Sequence, residues 1–140
     1  MALLWIQGHF LKFLFPIELG CAGFVPLSSP AIASRTVTTS KAERFNCFAR
    51  VKHVRVFELA RLESSETRAD QHETQVIQKL MSAPVINGNA EVVGVIQVCR
   101  KGMNAALAGP DFTENDLKKL EFAADIVARL MAMSSAVVRG

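Results

Sequence analysis

MSAPVINGNAEVVGVIQVCRKG, residues Met81 to Gly102, carries two apolar runs about a turn; PDFTENDLKKLEFAADIVARLM, residues Pro110 to Met131, comes shortly after it. Asn87-Gly88-Asn89 is the turn, because Asn and Gly tolerate the positive φ that tight hairpins need. The apolar run Val76 to Ile86 leads into it. Glu91 to Arg100, containing VVGVIQVCR, leads out of it as a β-branched run that predicts a central strand. Gly102 to Pro110 reads as a loop. Thr113 to about Val138 is the only long helix expected, with Leu117, Leu120, Ala124, Val127 and Met131 at spacings of three and four. Thr113 is its N-cap, Asp116 closes a capping box, and Phe112 staples onto Leu117 across the first turn. An ion pair between Asp116 and Lys101 is expected beside it.

Toward the N-terminus, Ala2 to Gln7 and Phe10 to Phe15 are two apolar runs separated by Gly8-His9, the pattern of a β-hairpin. Phe24 to Leu27 is a third short strand. Ser29 as N-cap and Pro30 at the first helical position predict a short helix from Ala31 to about Val37. Arg35 to Arg55 is basic, with Arg35, Lys41, Arg44, Arg50, Lys52 and Arg55 set against Glu43 alone. Val54 to Leu62 reads as a turn or two of helix, and Glu63 to Gln75 as a polar loop. The pattern describes an α+β domain: a central antiparallel β-sheet flanked by helices, ending in a long amphipathic C-terminal helix. One domain spans 1–140, with a hairpin, strand and middle segment in 1–80 and the late strands and final helix in 81–140.

Composition narrows the class. Half of the 140 residues are apolar and 21% are charged, which excludes a disordered tail. With Gly at 8 and Pro at 5, collagen-like and low-complexity chains are excluded too. The formal charge of +3 makes a mildly basic protein rather than a polycation. Three cysteines cannot all pair with one another, which fits a reducing, cytoplasmic setting. The oily opening is neither a signal peptide nor a membrane span: Lys12 lies inside the apolar run, and Gln7, Gly8, His9, Pro16 and Glu18 break it. Leu19-Gly20-Cys21 hints at lipoprotein processing, but Pro16 and Glu18 stand where small or apolar residues belong. The basic stretch has no helix-turn-helix, RNA-reading strand or zinc spacing, so it reads as a solvated face and no nucleic-acid partner is expected.

The motif of the second half resembles the C-terminal half of a GAF domain. In that family a strand ending in Pro-Val or Pro-Leu leads through a turn into a Gly-Val-Ile/Leu-Gln strand, and a Phe-Thr-Glu-x-Asp helix start opens a long amphipathic helix. ALLWIQ and FLKFLF resemble the first hairpin of the family, and FVPLSSPAIASRTVTTSKA the strand and short helix after it. GAF domains usually open with a helix before the first strand; this chain opens on the strand, so the resemblance implies a fragment, an expression boundary or a misassigned start. Some cyclic-nucleotide-binding members carry Asn-Lys…Phe-x-x-x-Asp-Glu. Arg100, Lys101, Phe112, Asp116 and Leu117 stand at those positions, and the capping box accounts for Phe112 and Asp116 without a nucleotide.

The resemblance implies a pocket between the sheet and the middle segment. Its candidate lining is Phe24, Arg35, Phe45, Cys47, Phe48 and Phe57, with Gln97 or Cys99 from the facing strand. These side chains either line a cavity for a small molecule or fill the core. His9, His53 and His72 are scattered without metal-ligand spacing, so no metal is expected. Haem needs a single axial His and could use His53, and tetrapyrrole and nucleotide also stay open as ligand chemistries. One GAF branch reduces free methionine sulfoxide with cysteines clustered before the late strands, but Arg61 to Gln78 contains no cysteine. A bilin would need a pocket cysteine, and only Cys47 qualifies. No Ser-His-Asp order or phosphate-cradling Gly loop appears.

The expected function is therefore a non-catalytic sensory or regulatory domain that binds a small molecule and signals through helix-mediated dimerisation. The final helix is apolar on more than one face, so one side meets the sheet and Phe122, Ile126, Leu130 and Met133 meet a second copy. An effector domain or protein outside this chain would receive the signal. The alternatives are an interaction module without ligand, or a thiol enzyme or sensor using Cys47 or Cys99.

Overall fold

The structure, a computed structural model of the chain, describes residues 1–15, 24–47 and 76–139. Strands Ala2–Gln7 (β1) and Phe10–Phe15 (β2) pair antiparallel across Gly8-His9. Gly8 takes φ 60°, a conformation that costs glycine nothing. Phe24–Pro26 (β3) adds to the outer side of β2. Helix Ile32–Thr39 (α1) and the short strand Glu43–Phe45 (β4) follow. Val76–Ile86 (β5) and Val92–Gly102 (β6) form the long hairpin, and Glu114–Arg139 (α2) is the long helix. The strands make one antiparallel sheet in the order β3-β2-β1-β6-β5-β4, which places β6 between β1 and β5 as a central strand.

The central strands of the sheet are buried on both faces because they alternate between two apolar sets. Leu4, Leu11, Phe13, Val25 and Val95 pack with Ala31 and Ala33 on the α1 side. Met81, Ala83, Val85 and Ile96 pack with Phe112, Leu120, Ala124 and Ala128 on the α2 side. Each fully buried large aliphatic side chain contributes about 1.5–3 kcal/mol, so these two layers hold the fold. On β6, Gly94 is required by packing: a Cβ there would lie 2.6 Å from the Leu4 carbonyl oxygen and 2.6 Å from the Trp5 ring.

Several expectations change in detail. The helix expected from Ala31 begins at Ile32, and its N-cap, Ala31, makes no side-chain capping bond. Ser29 acts one step earlier, its Oγ accepting the Ala31 N–H at 3.4 Å and meeting Ser34 Oγ at 3.2 Å. Within the basic stretch, Glu43–Phe45 is a strand rather than loop, with Arg44 in register with Met81. Three residues carry too little alternation to announce a strand; β5 supplies the hydrogen bonds. At the Asn87-Gly88-Asn89 turn, the positive φ falls on Ala90, at 61°. Asn87 Oδ1 accepts the N–H groups of Asn89 (2.9 Å) and Glu91 (3.0 Å), and this Asx geometry carries the turn past the glycine. The expected helix turns in Val54–Leu62 and the loop Glu63–Gln75 lie outside the described residues. Among the described residues no helix is long and apolar enough to cross a membrane.

Candidate functional site

Between α1 and the sheet lies a directed chain of hydrogen bonds. Thr36 Oγ1 donates to the Ile32 carbonyl at 3.0 Å, the ordinary back-bond of a helical threonine. With its proton spent there, Thr36 Oγ1 accepts from Ser82 Oγ at 2.7 Å. Ser82 Oγ in turn accepts from Gln97 Nε2 at 3.2 Å. Thr36, Ser82 and Gln97 are buried, and Ser82 stands in register with Gln97 across β5 and β6. The chain fixes which way the Gln97 amide points, and among the described residues its carbonyl oxygen accepts no hydrogen bond. Beside it, Ile32, Ile77 and Leu80 form a small buried cluster with Phe45 and Cys99 against them.

The candidate lining therefore divides. Gln97, Cys99 and Phe45 come together on the α1 side of the sheet. Arg35 is on α1 but exposed, where its guanidinium holds Glu43 through two bonds of 2.8 and 3.0 Å. The hydrogen bond and charge of Glu43 raise the Arg35 pKa further above its usual value. Phe24 is exposed on the edge strand, its ring centroid 5.8 Å from that of Phe10. Cys47 is an exposed free thiol and Cys99 a half-buried one. Phe48 and Phe57 lie outside the described residues, as do Cys21, His53 and His72. Among the described residues no group of three or more His, Cys, Asp or Glu side chains is placed to hold a metal ion.

Sequence reasoning missed Thr36 and Ser82. The available signal was a serine inside the apolar run of β5, opposite the only amide of β6. It also missed the strap that leads into α2. Lys79, buried on β5, donates to the Gly109 carbonyl at 2.6 Å and pairs with the Asp111 carboxylate at 2.8 Å. Asn46 brackets Phe112, donating from Nδ2 to its carbonyl at 3.0 Å and accepting its N–H at Oδ1 at 2.8 Å. Arg44 donates to the same carbonyl at 2.8 Å. The Arg100 guanidinium lies 4.3 Å over the Phe112 ring and donates to the Pro110 carbonyl.

The strap delivers the chain into the expected capping box. Thr113 N–H donates to Asp116 Oδ2 at 2.8 Å, and Asp116 N–H donates to Thr113 Oγ1 at 3.1 Å. The Thr113 backbone bond lowers the Asp116 pKa, with smaller contributions from the Thr113 side chain and from the charges of Arg100 and Lys119. Those two cations, rather than Lys101, are the ones that act on Asp116, because the strap carries Arg100 over the start of α2. Phe112 and Leu117 share one apolar cluster, as a staple requires.

Two features lie along α2. A surface cleft of about 380 Å³ is lined by Ser40, Lys41 and Ala42 after α1, Pro84 and Ile86 of β5, and Glu121 and Asp125 of α2. Opposite the buried stripe Leu120, Ala124 and Ala128, the side chains of Phe122, Ile126, Leu130 and Met133 are between 43% and 68% exposed. The helix is apolar on two sides, and only one of them has a partner within the described residues.

No family model matches the sequence, and no curated protein matches it. Solved structures match it throughout. The GAF domain of an Acinetobacter phosphoenolpyruvate-protein phosphotransferase superposes with a TM-score of 0.65 at 12% identity, over 99% of this chain and 73% of that one. A domain of a putative two-component sensor histidine kinase from Sinorhizobium meliloti gives 0.58 at 11% identity, over 99% of this chain and 81% of that one. A type II free methionine-R-sulfoxide reductase from Thermoplasma acidophilum gives 0.58 at 14% identity, over 92% of this chain and 75% of that one. The chain thus has the GAF-like α+β fold. At such identities the likeness shows fold alone, and the fold is shared by sensory domains and reductases.

Proposed function

We propose that this chain is a sensory or regulatory domain of GAF type, cytoplasmic and non-catalytic, that binds a small molecule and signals by pairing two copies through α2. The observation that carries this reading is the two-sided helix. Leu120, Ala124 and Ala128 seat α2 on the sheet, while Phe122, Ile126, Leu130 and Met133 are left to water. A helix apolar on opposite faces is expected to be covered on both. The ligand end of the reading rests on Gln97, whose buried amide is oriented by Ser82 and whose oxygen accepts no hydrogen bond among the described residues, on the same face as Cys99 and Phe45. A molecule that binds one arrangement of this region better than another shifts its population, and α2 carries the bias to an effector outside the chain. The sensor-kinase domain among the fold neighbours agrees with such a role.

A second reading is an interaction module with no ligand. The close apolar packing of Ile32, Ile77 and Leu80 favours it, because a filled cluster needs no guest. Native mass spectrometry separates the two: a dimer carrying a few hundred daltons of extra mass per chain supports the sensor, and a bare dimer the module. Sedimentation at micromolar concentration is expected to give a dimer, and Ile126→Glu or Leu130→Glu a monomer. A wild-type monomer would sink the α2 argument. Incubation with free methionine sulfoxide and a thiol reductant is expected to yield no methionine; turnover that Cys47→Ser or Cys99→Ser abolishes would replace the sensor with a reductase.

A further inference from the structure

We infer that β4 couples the two faces of the sheet: α1 and the entry of α2 each hold this edge strand against β5, so loosening either one loosens the other. The inference deepens the sensory reading by naming a route from the α1 side to α2, and it stands on contacts of its own. Among the described residues β4 has β5 as its one strand neighbour, and the pairing spans only Glu43 to Phe45 opposite Ser82 to Leu80. An edge ladder that short gives little stability by itself and opens locally. Side chains make up the difference, and strand alternation divides them between the faces. Glu43 and Phe45 stand on the α1 side. Glu43 takes both bonds of the Arg35 guanidinium fork, at 2.8 and 3.0 Å, and Phe45 packs against Ile32, Ile77 and Leu80. Ala42, Arg44 and Asn46 face the other way. Ala42 packs into the α2-side layer, while Arg44 and Asn46 hold the peptide of Phe112, whose ring belongs to that layer.

Phe112 immediately precedes Thr113, the residue that caps α2 with Asp116, so the Phe112 peptide sets where α2 begins. All of these side-chain contacts exist only while β4 is docked. Its docking is therefore one equilibrium biased from both faces, and coupling through one equilibrium is reciprocal. The two sides differ in weight. Arg35 is exposed, so its bond to Glu43 has the strength of a surface ion pair, about a threefold change in the docking equilibrium. Asn46 makes two bonds to a peptide at the edge of the core and counts for more. Lys79 of β5 and Arg100 of β6 also grip the strap, at Gly109 and Pro110, without touching β4. Those grips supply the control.

The test is residue-resolved amide exchange in the full chain, and it needs no ligand. Arg35→Gln, a change at an exposed position on the α1 side, is expected to speed exchange of the Phe112, Asp116 and Leu117 amides about threefold. Amides around Ala124 in the middle of α2 should keep their rates. Glu43→Gln should do the same, and the double variant no more than either single one, because both remove one pair. In the reverse direction, Asn46→Ala is expected to speed the Ser40 amide, which closes the last turn of α1 on the Thr36 carbonyl at 2.9 Å. Lys79→Met should loosen the strap and leave Ser40 at its wild-type rate. No change at the start of α2 in Arg35→Gln, or a uniform rise along the helix, overturns the coupling. So does a Ser40 amide that responds equally to Lys79→Met and Asn46→Ala, since β4 would then not be the carrier. A chain that shows the coupling but binds no small molecule keeps this inference and loses the sensory reading; a chain that binds one with its two faces uncoupled does the reverse.

Discussion

The Ser82 hydroxyl lies 2.7 Å from that of Thr36, joining β5 to α1 across 46 residues of chain. Both groups are buried, and each has its other bond committed, to Gln97 and to Ile32. Ser82→Ala leaves the Gln97 amide and the Thr36 hydroxyl each short of a partner. The expected loss is about 1–3 kcal/mol, read as a lower urea midpoint at unchanged slope. Thr36→Val combined with Ser82→Ala should destabilise by less than the two single losses added, because both act on one bond. Strict additivity would mean the hydroxyls do not interact.

Gly94 is the position where the sheet accommodates Trp5. A methyl group there meets both the Leu4 carbonyl and the indole ring at 2.6 Å. Gly94→Ala is expected to cost about 1–3 kcal/mol as an overpacked site and to move the emission of the only tryptophan. Normal stability with an unshifted spectrum would place the ring elsewhere.

Ala90 holds a left-handed conformation, φ 61°, that disfavours a Cβ. Ala90→Gly is expected to raise stability by about 0.5–1 kcal/mol: the relieved strain, about 1–2 kcal/mol, exceeds the added entropy of the unfolded chain. Thermal unfolding at matched concentration reads the change, and a lower midpoint would contradict the turn geometry.

Asp116 gives the start of α2 a pH dependence whose sign follows from its lowered pKa. A carboxylate that titrates lower in the folded than in the unfolded chain stabilises the fold above the unfolded pKa, about 4. That contribution is lost as pH falls from there through the folded value. Asp116→Asn should flatten this acid limb and leave the neutral-to-basic range unchanged in slope. Amide protection in the first turn of α2, corrected for the intrinsic pH dependence of exchange, should fall in wild type as pH drops below about 4 and stay level in the variant.

Asn46 ties the edge strand to the helix entry through both groups of its amide. Asn46→Ala takes the Oδ1 acceptor from the Phe112 N–H and leaves Arg44 to hold the Phe112 carbonyl. A loss of about 1–2 kcal/mol is expected, with faster amide exchange at the start of α2 than at its middle. Uniform change along α2 would mean that the strap does not position its entry.

Elements with a strong internal signal were legible in the sequence. The Thr113–Asp116 box closes as its spacing requires, since both partners lie within one turn of the same helix. The long hairpin and its central strand follow from β-branched runs about an Asn-Gly turn. The short strand at Glu43–Phe45 was not legible, because its hydrogen bonds come from β5, more than thirty residues on. The candidate lining divided for the same reason. Gln97 and Cys99 alternate on a strand whose faces could be read, whereas the exposure of Arg35 depends on Glu43 standing opposite it after the chain has turned back.

Sequence alone determined which segments are strands and helices with apolar periodicity, where α2 begins, and that α2 is apolar on two sides. These are local matters of spacing, capping and turn chemistry. Only the tertiary structure decided that Thr36, Ser82 and Gln97 form one directed chain, that Lys79 is buried against the strap, and that Leu3 and Trp5 of β1 reach the apolar layer beneath α2. Each depends on how the six strands order themselves. That order is set by the joint burial of two sheet faces, a property that no single stretch of the chain contains.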